Sequence, residues 1–323
     1  MIAMKPMVLI NYKSDNFPED VTDKLRSLAD VVRVSGDYSD QLRDATVLLA
    51  AGENVNEDFL KKAPKLRLVS RFGVGYDSVD VDACTRYSVY VCHTPDVLSD
   101  AVADLTWALI LGWMRRIPEA DRYTREEWWK KQRGFPFGWD MGGKTLGLLG
   151  LGRIGVEVAK RGDGFGVKMI YYDVTRRQDI EAKYGIAYVP FEELLKTADI
   201  ISVHVPLIPS TKGILSTKQF QTMKKTAIVI NTSRGPVIDQ KALTEALKAK
   251  VIAGAALDVF EVEPAPLTEE LLKLENVIVT PHMASATWET RRKMAERCAE
   301  SIKAFLEGKK PPFTVPEQKN VTF

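Results

Sequence analysis

Residues Lys144 to Gly155 read KTLGLLGLGRIG. The apolar run Leu146 to Leu149 predicts a buried strand, and Gly150, Gly152 and Gly155 then supply the G-x-G-x-x-G spacing that opens a helix. Gly150 allows a tight turn, Gly152 lets backbone amides approach a pyrophosphate, and Gly155 lets the new helix lie close to its strand, so that phosphate charge meets the helix N-terminus. Glycines at this spacing also occur in ordinary loops, so the neighbouring sequence decides. A second apolar run, Val167 to Tyr172, ends in Asp173, 18 residues after Gly155, where a carboxylate can accept hydrogen bonds from the two hydroxyls of an adenosine ribose. An acid at that point repels a 2′-phosphate and favours NAD; Arg176 and Arg177, close behind, keep NADP as the second choice.

The rest of the chain has the size and composition to carry such a site. Its 323 residues exceed the usual size of one compact core and predict two domains. With 45 basic against 43 acidic residues, the balance gives no support for a nucleic-acid or anionic-membrane partner. No apolar segment approaches the length of a membrane span, and MIAMKPMVLINYK at the start reads as a first strand rather than a secretory signal. Cys84, Cys92 and Cys298 have neither paired nor metal-ligand spacing, so reduced structural thiols in a cytoplasmic protein, and no metal, are expected.

Taken in order, Met7 to Tyr12, Val31 to Val34, Ala45 to Leu49 and Leu66 to Ser70 are short apolar runs separated by helical or polar segments, with helical spacing over Glu19 to Leu28. They predict a small α/β domain. In RFGVGYDSVD, Arg71 to Asp80, two glycines flank Val74; the backbone there can expose consecutive amides to a carboxylate, or can simply make a tight turn. After Val89 to Cys92, a long apolar helix runs from about Leu98 to Arg115 and Arg116, suited to a domain connection, a buried core or a subunit interface. Arg125 to Asp140, with Trp128, Trp129 and Trp139, reads as a packed loop that could lie at a dimer contact. From Lys144 onward strands and helices alternate, with further strands at Ile200 to Val205, Ala227 to Thr232, Ile252 to Leu257 and Val277 to Thr280, which predicts a doubly wound parallel sheet.

Ligands in such sheets bind beyond the carboxyl ends of the strands. Four segments lie there: HVPL with His204, Val205 and Pro206; NTSRGP with Thr232, Ser233 and Arg234; LDVFEVEP with Asp258 and Glu263; and TPHMASAT with His282. Arg234 can grip a carboxylate and polarise the adjacent carbonyl through its forked donors. His282 can give or take the proton of a carbonyl or alcohol oxygen, and Glu263 can orient that imidazole and offset its charge. Singly, each of these residues has a plain structural reading; their joint occurrence at strand ends beside a dinucleotide fingerprint points to a site. His204 reads as lining the cofactor cleft, while His93, before Thr94 and Pro95, has a structural reading as good as a functional one.

The six blocks GVGYDSVD, HTPDVLSDAVADL, GKTLGLLGLGRIG, NTSRGPVID, ALDVFEVEP and TPHMASAT, spread over about two hundred residues, resemble the D-isomer-specific 2-hydroxyacid dehydrogenase family, and in particular its glyoxylate/hydroxypyruvate reductases. The resemblance implies two α/β domains, one flavodoxin-like and substrate-binding (residues 1–97 and 288–323), the other an NAD-binding Rossmann domain (98–287). It implies that Arg234, Glu263 and His282 are catalytic and that Val74 and Gly75, with Arg234 and His282, bind the substrate. It also implies that Val102, Gly150, Gly152, Arg153, Ile154, Gly155, Asp173, His204, Val205, Pro206, Thr232, Ser233, Asp258 and His282 bind the cofactor, Asp258 near the nicotinamide carboxamide. A homodimer built around the long helix is expected on the same ground.

Departures from the family pattern are Ser78 and His93, where it often has Asn. LLAAGENVNEDF has no counterpart of the Arg-Ser-x-Thr segment of D-3-phosphoglycerate dehydrogenases, which disfavours a phosphorylated substrate. The expected activity is interconversion of a small 2-keto acid and its D-2-hydroxy acid with NAD(H), glyoxylate or hydroxypyruvate leading. The alternatives are phosphite or D-3-phosphoglycerate oxidation, or an NAD-responsive binding scaffold like the corepressors of the same family; Glu263 argues against formate oxidation, which usually pairs the histidine with glutamine.

Overall fold

The computed structural model describes residues 5–12, 16–130 and 134–323. The expected readings of residues 1–4, of Lys13 and of residues 131–133 in the Trp-rich stretch lie outside them. The chain divides into two compact units, one running to Leu98 and including Ser285–Phe323, the other Ser99–Ala284. Each is an α/β layer structure on a parallel sheet.

In the first unit, β1 (Met7–Ile10), β2 (Asp30–Arg33), β3 (Ala45–Ala50), β4 (Leu68–Arg71) and β5 (Tyr90–Cys92) pair in the order β2-β1-β3-β4-β5, every pair parallel. The apolar runs are continuous because both faces are covered: Val8, Leu9, Ile10, Leu48, Leu49, Leu68 and Val69 have no exposed surface. Helices Glu19–Arg26 and Trp288–Leu306 pack on each other, and the second also packs on β4. The C-terminal tail is tied to β5 by the buried Gln318, whose Oε1 accepts the Val91 amide at 2.8 Å while Nε2 donates to the Val89 carbonyl at 3.0 Å.

In the second unit, β6 (Thr145–Leu149), β7 (Lys168–Tyr172), β8 (Ala187–Tyr188), β9 (Ile200–Val203), β10 (Ile228–Asn231), β11 (Gly254–Leu257) and β12 (Val277–Val279) form one parallel sheet, order β12-β11-β10-β9-β6-β7-β8. The order reverses between β6 and β9, so the loops leaving these two strands part and open a crevice. Helix Ser99–Met114 buries Ala103, Trp107, Ile110 and Trp113 within this unit's core.

The Trp-rich stretch differs from its expected form. The long helix stops at Met114; Arg116 takes the left-handed conformation, φ 56°, and a second helix, Ile117–Glu126, follows with a proline in its first turn. Arg125 is therefore helical, and Trp128–Lys130 form a 3-10 turn. Nor is the stretch packed: Trp129 is 74% and Phe137 95% exposed, although Trp139 stacks on Trp113 at 5.0 Å. The polar sequence IPEADRYTRE has the spacing of a surface helix, and none of its residues is buried.

Candidate active site

The glycine loop lies at the β6/β9 crevice of the second unit. Gly150 has φ +98°, and a Cβ there would stand 2.9 Å from the His204 carbonyl carbon and 3.0 Å from Val205 Cγ1, so only glycine lets the loop meet the segment leaving β9. A Cβ on Gly155 would stand 2.4 Å from the Gly150 oxygen, which fixes the close approach of helix Arg153–Gly162 to its own loop. A Cβ on Gly152 would meet nothing within 4 Å. Gly152 is also the N-cap of that helix, so the open space faces unsatisfied backbone N–H groups, the arrangement that accepts a pyrophosphate.

Asp173, just past β7, accepts the Leu151 amide at 2.7 Å through Oδ2 and the Thr175 amide at 3.1 Å through Oδ1. The two arginines behind it are engaged: Arg176 makes two 2.9 Å bonds to Glu181, and Arg177 bonds Asp179 at 2.9 and 3.0 Å. His204 Nε2 is 2.8 Å from Ser202 Oγ, and burial pushes its imidazole down to about 3, so the ring is neutral at ordinary pH. Val102 reaches the same unit's strand ends through Thr106, whose hydroxyl donates to the Val102 carbonyl and lies 3.0 Å from the hydroxyl of the buried Thr232. Arg153 and Ile154 occupy the first turn of helix Arg153–Gly162. These residues fit a dinucleotide: space where a Cβ is missing, amides facing that space, and a carboxylate at the end of the second strand.

The candidate acid-base pair lies at the far strands of the same sheet. His282 Nδ1 and Glu263 Oε2 are 2.6 Å apart, and Glu263 Oε1 accepts the Phe260 amide at 3.0 Å. Burial raises the Glu263 carboxyl, but the His282 hydrogen bond, the Phe260 amide and the charges of His282 and Arg234 outweigh it and hold it below the usual carboxylate range. Arg234 follows β10 in a turn stapled by Asn231, whose Nδ2 donates to the Arg234 carbonyl at 2.9 Å and whose Oδ1 accepts the Ser233 amide and hydroxyl. An apolar cleft of about 590 Å³ lies against His282 and Glu263, walled by Phe260, Pro264, Ala265, Leu272 and Val279.

His282 itself has φ 52°, a left-handed conformation that a histidine adopts only when its surroundings impose it. Asp258 imposes it. Fully buried, its carboxylate accepts the Thr280 hydroxyl at 2.5 Å and the Met283 and Ala284 amides at 2.8 and 2.9 Å, and its carbonyl accepts the His282 amide at 2.8 Å. Asp258 thus shapes the turn that presents the imidazole. Neither this task nor that of Asn231 was evident from sequence, although a buried-strand run ending in a lone polar residue is the signal that points to both.

In the first unit, Val74 and Gly75 follow β4. The loop is held by its carbonyls, Gly73 O accepting the Thr94 amide at 2.9 Å and Val74 O lying 3.0 Å from His93 Nδ1. His93 therefore braces the glycine loop. Among the described residues no group of histidine, cysteine and acidic side chains could hold a metal ion, and no helix is long and apolar enough to cross a membrane.

Comparison with known proteins accords with this geometry. Residues 107–284 match the model of the D-isomer specific 2-hydroxyacid dehydrogenase NAD binding domain. Glyoxylate reductase of Korarchaeum cryptofilum is 48% identical over 277 residues, 85% of this chain and 83% of that protein. Glyoxylate reductase of Thermococcus litoralis is 48% identical over 274 residues, 83% of this chain and 82% of that protein. Among solved structures, an NADPH-dependent glyoxylate/hydroxypyruvate reductase from Sinorhizobium meliloti, in complex with NADP and malonate, superposes with TM-score 0.87 at 32% identity, covering 97% of each chain. With a matching dinucleotide unit and relatives spanning most of its length, this chain belongs to the D-isomer-specific 2-hydroxyacid dehydrogenase family and is an oxidoreductase acting on 2-keto or 2-hydroxy acids.

Proposed function

We propose that the chain reduces a small 2-keto acid to its D-2-hydroxy acid, with glyoxylate or hydroxypyruvate as substrate and NADH preferred to NADPH. The observation that carries the catalytic assignment is the 2.6 Å contact of His282 Nδ1 with Glu263 Oε2. With Nδ1–H donated to the carboxylate, Nε2 is left to give its proton to the carbonyl oxygen of the substrate. The ionised Glu263 stabilises the imidazolium that this step requires. Arg234 holds the substrate carboxylate and polarises the carbonyl, and Val74 and Gly75 contribute amides to that carboxylate. A bound nicotinamide supplies the hydride.

NAD preference is supported by Asp173 and by the engagement of Arg176 and Arg177 with neighbouring acids. A homodimer is supported by the exposed Ile117, Trp128, Trp129 and Phe137, and a reducing compartment by three free, buried cysteines. A panel of 2-keto acids assayed with NADH and NADPH tests the reading. If His282→Ala and Arg234→Ala both kept near wild-type turnover on the best substrate, it would be wrong.

A further inference from the structure

Two arginines of the first unit have no counter-charge among the described residues. Arg71 ends β4, and Arg291 lies in the first turn of helix Trp288–Leu306. The Nε of each is buried with no hydrogen-bond partner among the described residues. The Arg71 guanidinium meets neutral groups: Nη1 lies 3.4 Å from Ala50 O and 3.3 Å from Phe72 O, and the group also bonds the Tyr12 side chain. The Arg291 guanidinium lies over the Phe72 ring, 5.6 Å from its centroid. Burial holds Arg291 below its usual range; Tyr12 opposes this and the Arg71 charge adds to it, and no carboxylate of the described residues contributes. The next residue, Arg292, is an ordinary surface cation paired with Asp20 and Glu296.

The position is informative. Tyr12 follows β1, Ala50 ends β3 and Arg71 ends β4, so the cluster stands at the carboxyl ends of the strands where the sheet order turns. Open parallel sheets take ligands at such a place. Tyr12 completes the wall, its hydroxyl donating to the Ala51 carbonyl at 3.2 Å and its ring 4.7 Å from that of Phe72. A Cβ on Gly73 would be 3.8 Å from Arg71 Cζ, which places the guanidinium against the loop that carries Val74 and Gly75. Two neighbouring guanidinium groups, each with a buried unpaired donor, are costly unless an anion joins them, and their planar forks match an oxyanion.

We propose that Arg71 and Arg291 form an oxyanion subsite of this unit, taking a carboxylate or an oxyanion of similar size, carried at the far end of a 2-keto diacid or present as a free ion. The diacid arm rests on the 2-keto-acid reading above; the free-ion arm does not.

The test uses the whole chain and its Arg71→Gln, Arg291→Gln and Arg291→Lys variants, with NADH binding, a property of the other unit, as the check on folding. For the diacid arm, kcat/KM is compared for C4 and C5 2-keto diacids and monoacids of equal length. The wild type is expected to favour diacids, and the diacid-to-monoacid ratio to fall at least about tenfold in either glutamine variant, with partial recovery in Arg291→Lys. For the free-ion arm, sulfate or phosphate raises the wild-type melting temperature and competes with glyoxylate, and both effects vanish in the variants. Either pattern supports the subsite and identifies its ligand. If variants that bind NADH show the wild-type diacid ratio and the wild-type response to sulfate and phosphate, the proposal is overturned. Should the variants not fold, a wild type with neither diacid preference nor ion response overturns it. An ion response lost in the variants of a chain that turns over no keto acid would keep the subsite and remove the substrate reading.

Discussion

The Leu151 amide donates to Asp173 Oδ2 at 2.7 Å, so the carboxylate expected to hold an adenosine ribose also braces the glycine loop that would hold the pyrophosphate. One side chain thereby couples the two halves of the dinucleotide site. Asp173→Ala is expected to raise KM for NADH about tenfold, the loss of roughly 1.4 kcal/mol from charge-assisted hydrogen bonds. The penalty for NADPH should be smaller, because an acid at that point repels its 2′-phosphate. Steady-state kinetics with both cofactors at saturating keto acid check this; an unchanged NADH-to-NADPH ratio of kcat/KM would refute the assignment of Asp173.

The three glycines of the fingerprint separate stability from binding. Gly155→Ala drives a methyl group to 2.4 Å from the Gly150 oxygen, and the resulting shift should cost about 1–3 kcal/mol of stability. Gly152→Ala meets no protein atom. It should therefore leave the melting temperature within about a degree or two of wild type while weakening NADH binding, since its methyl group occupies phosphate space. Thermal unfolding without cofactor, set beside NADH titration, checks the pair. A Gly152→Ala chain that melts early yet binds NADH normally would contradict the reading.

Much of this was legible because buried parallel strands announce themselves as short apolar runs. LGLL, IISV and IVIN are covered on both faces, and their expected limits lie within two residues of β6, β9 and β10. Less legible were features that depend on side chains meeting across the chain. Val74 O and His93 Nδ1 are brought together from positions 19 apart by the adjacency of β4 and β5, and nothing local to HTP signals the bond. Helix Ile117–Glu126 was hidden for a different reason. It buries none of its residues, so the apolar periodicity that reveals core helices is absent, and Pro118 in its first turn is the remaining clue.

The Glu263 carboxyl is held below the usual carboxylate range because its bonds to His282 and to the Phe260 amide, with the Arg234 charge, outweigh the effect of burial. The acid limb of a pH–rate profile should therefore not reflect Glu263 in the ordinary carboxylate range. Glu263→Gln removes the anion beside the proton donor. It should lower kcat for reduction on the order of 10²-fold, because the imidazolium formed in the reaction loses its stabilising partner. Steady-state kcat for the two proteins at pH 7.5, with saturating keto acid and NADH, checks this. An unchanged kcat would show that Glu263 does not act on the proton donor.

His204 gives a stability dependence of definite sign. Burial lowers its folded-state value from 6.5 to about 3, so between those limits the unfolded chain binds a proton that the native chain does not. Its contribution is fully present above pH 6.5 and is lost as pH falls toward 3. Because His204 as a residue is only partly buried, the loss on moving from pH 7.5 to pH 5 is about 1–2 kcal/mol. His204→Gln keeps a hydrogen-bonding partner for the Ser202 hydroxyl and does not titrate, so its stability should change less over the same interval by that amount. Urea unfolding at pH 7.5 and 5.0 measures the difference. Equal losses in the two proteins would mean that the His204 ring is not held neutral by the fold.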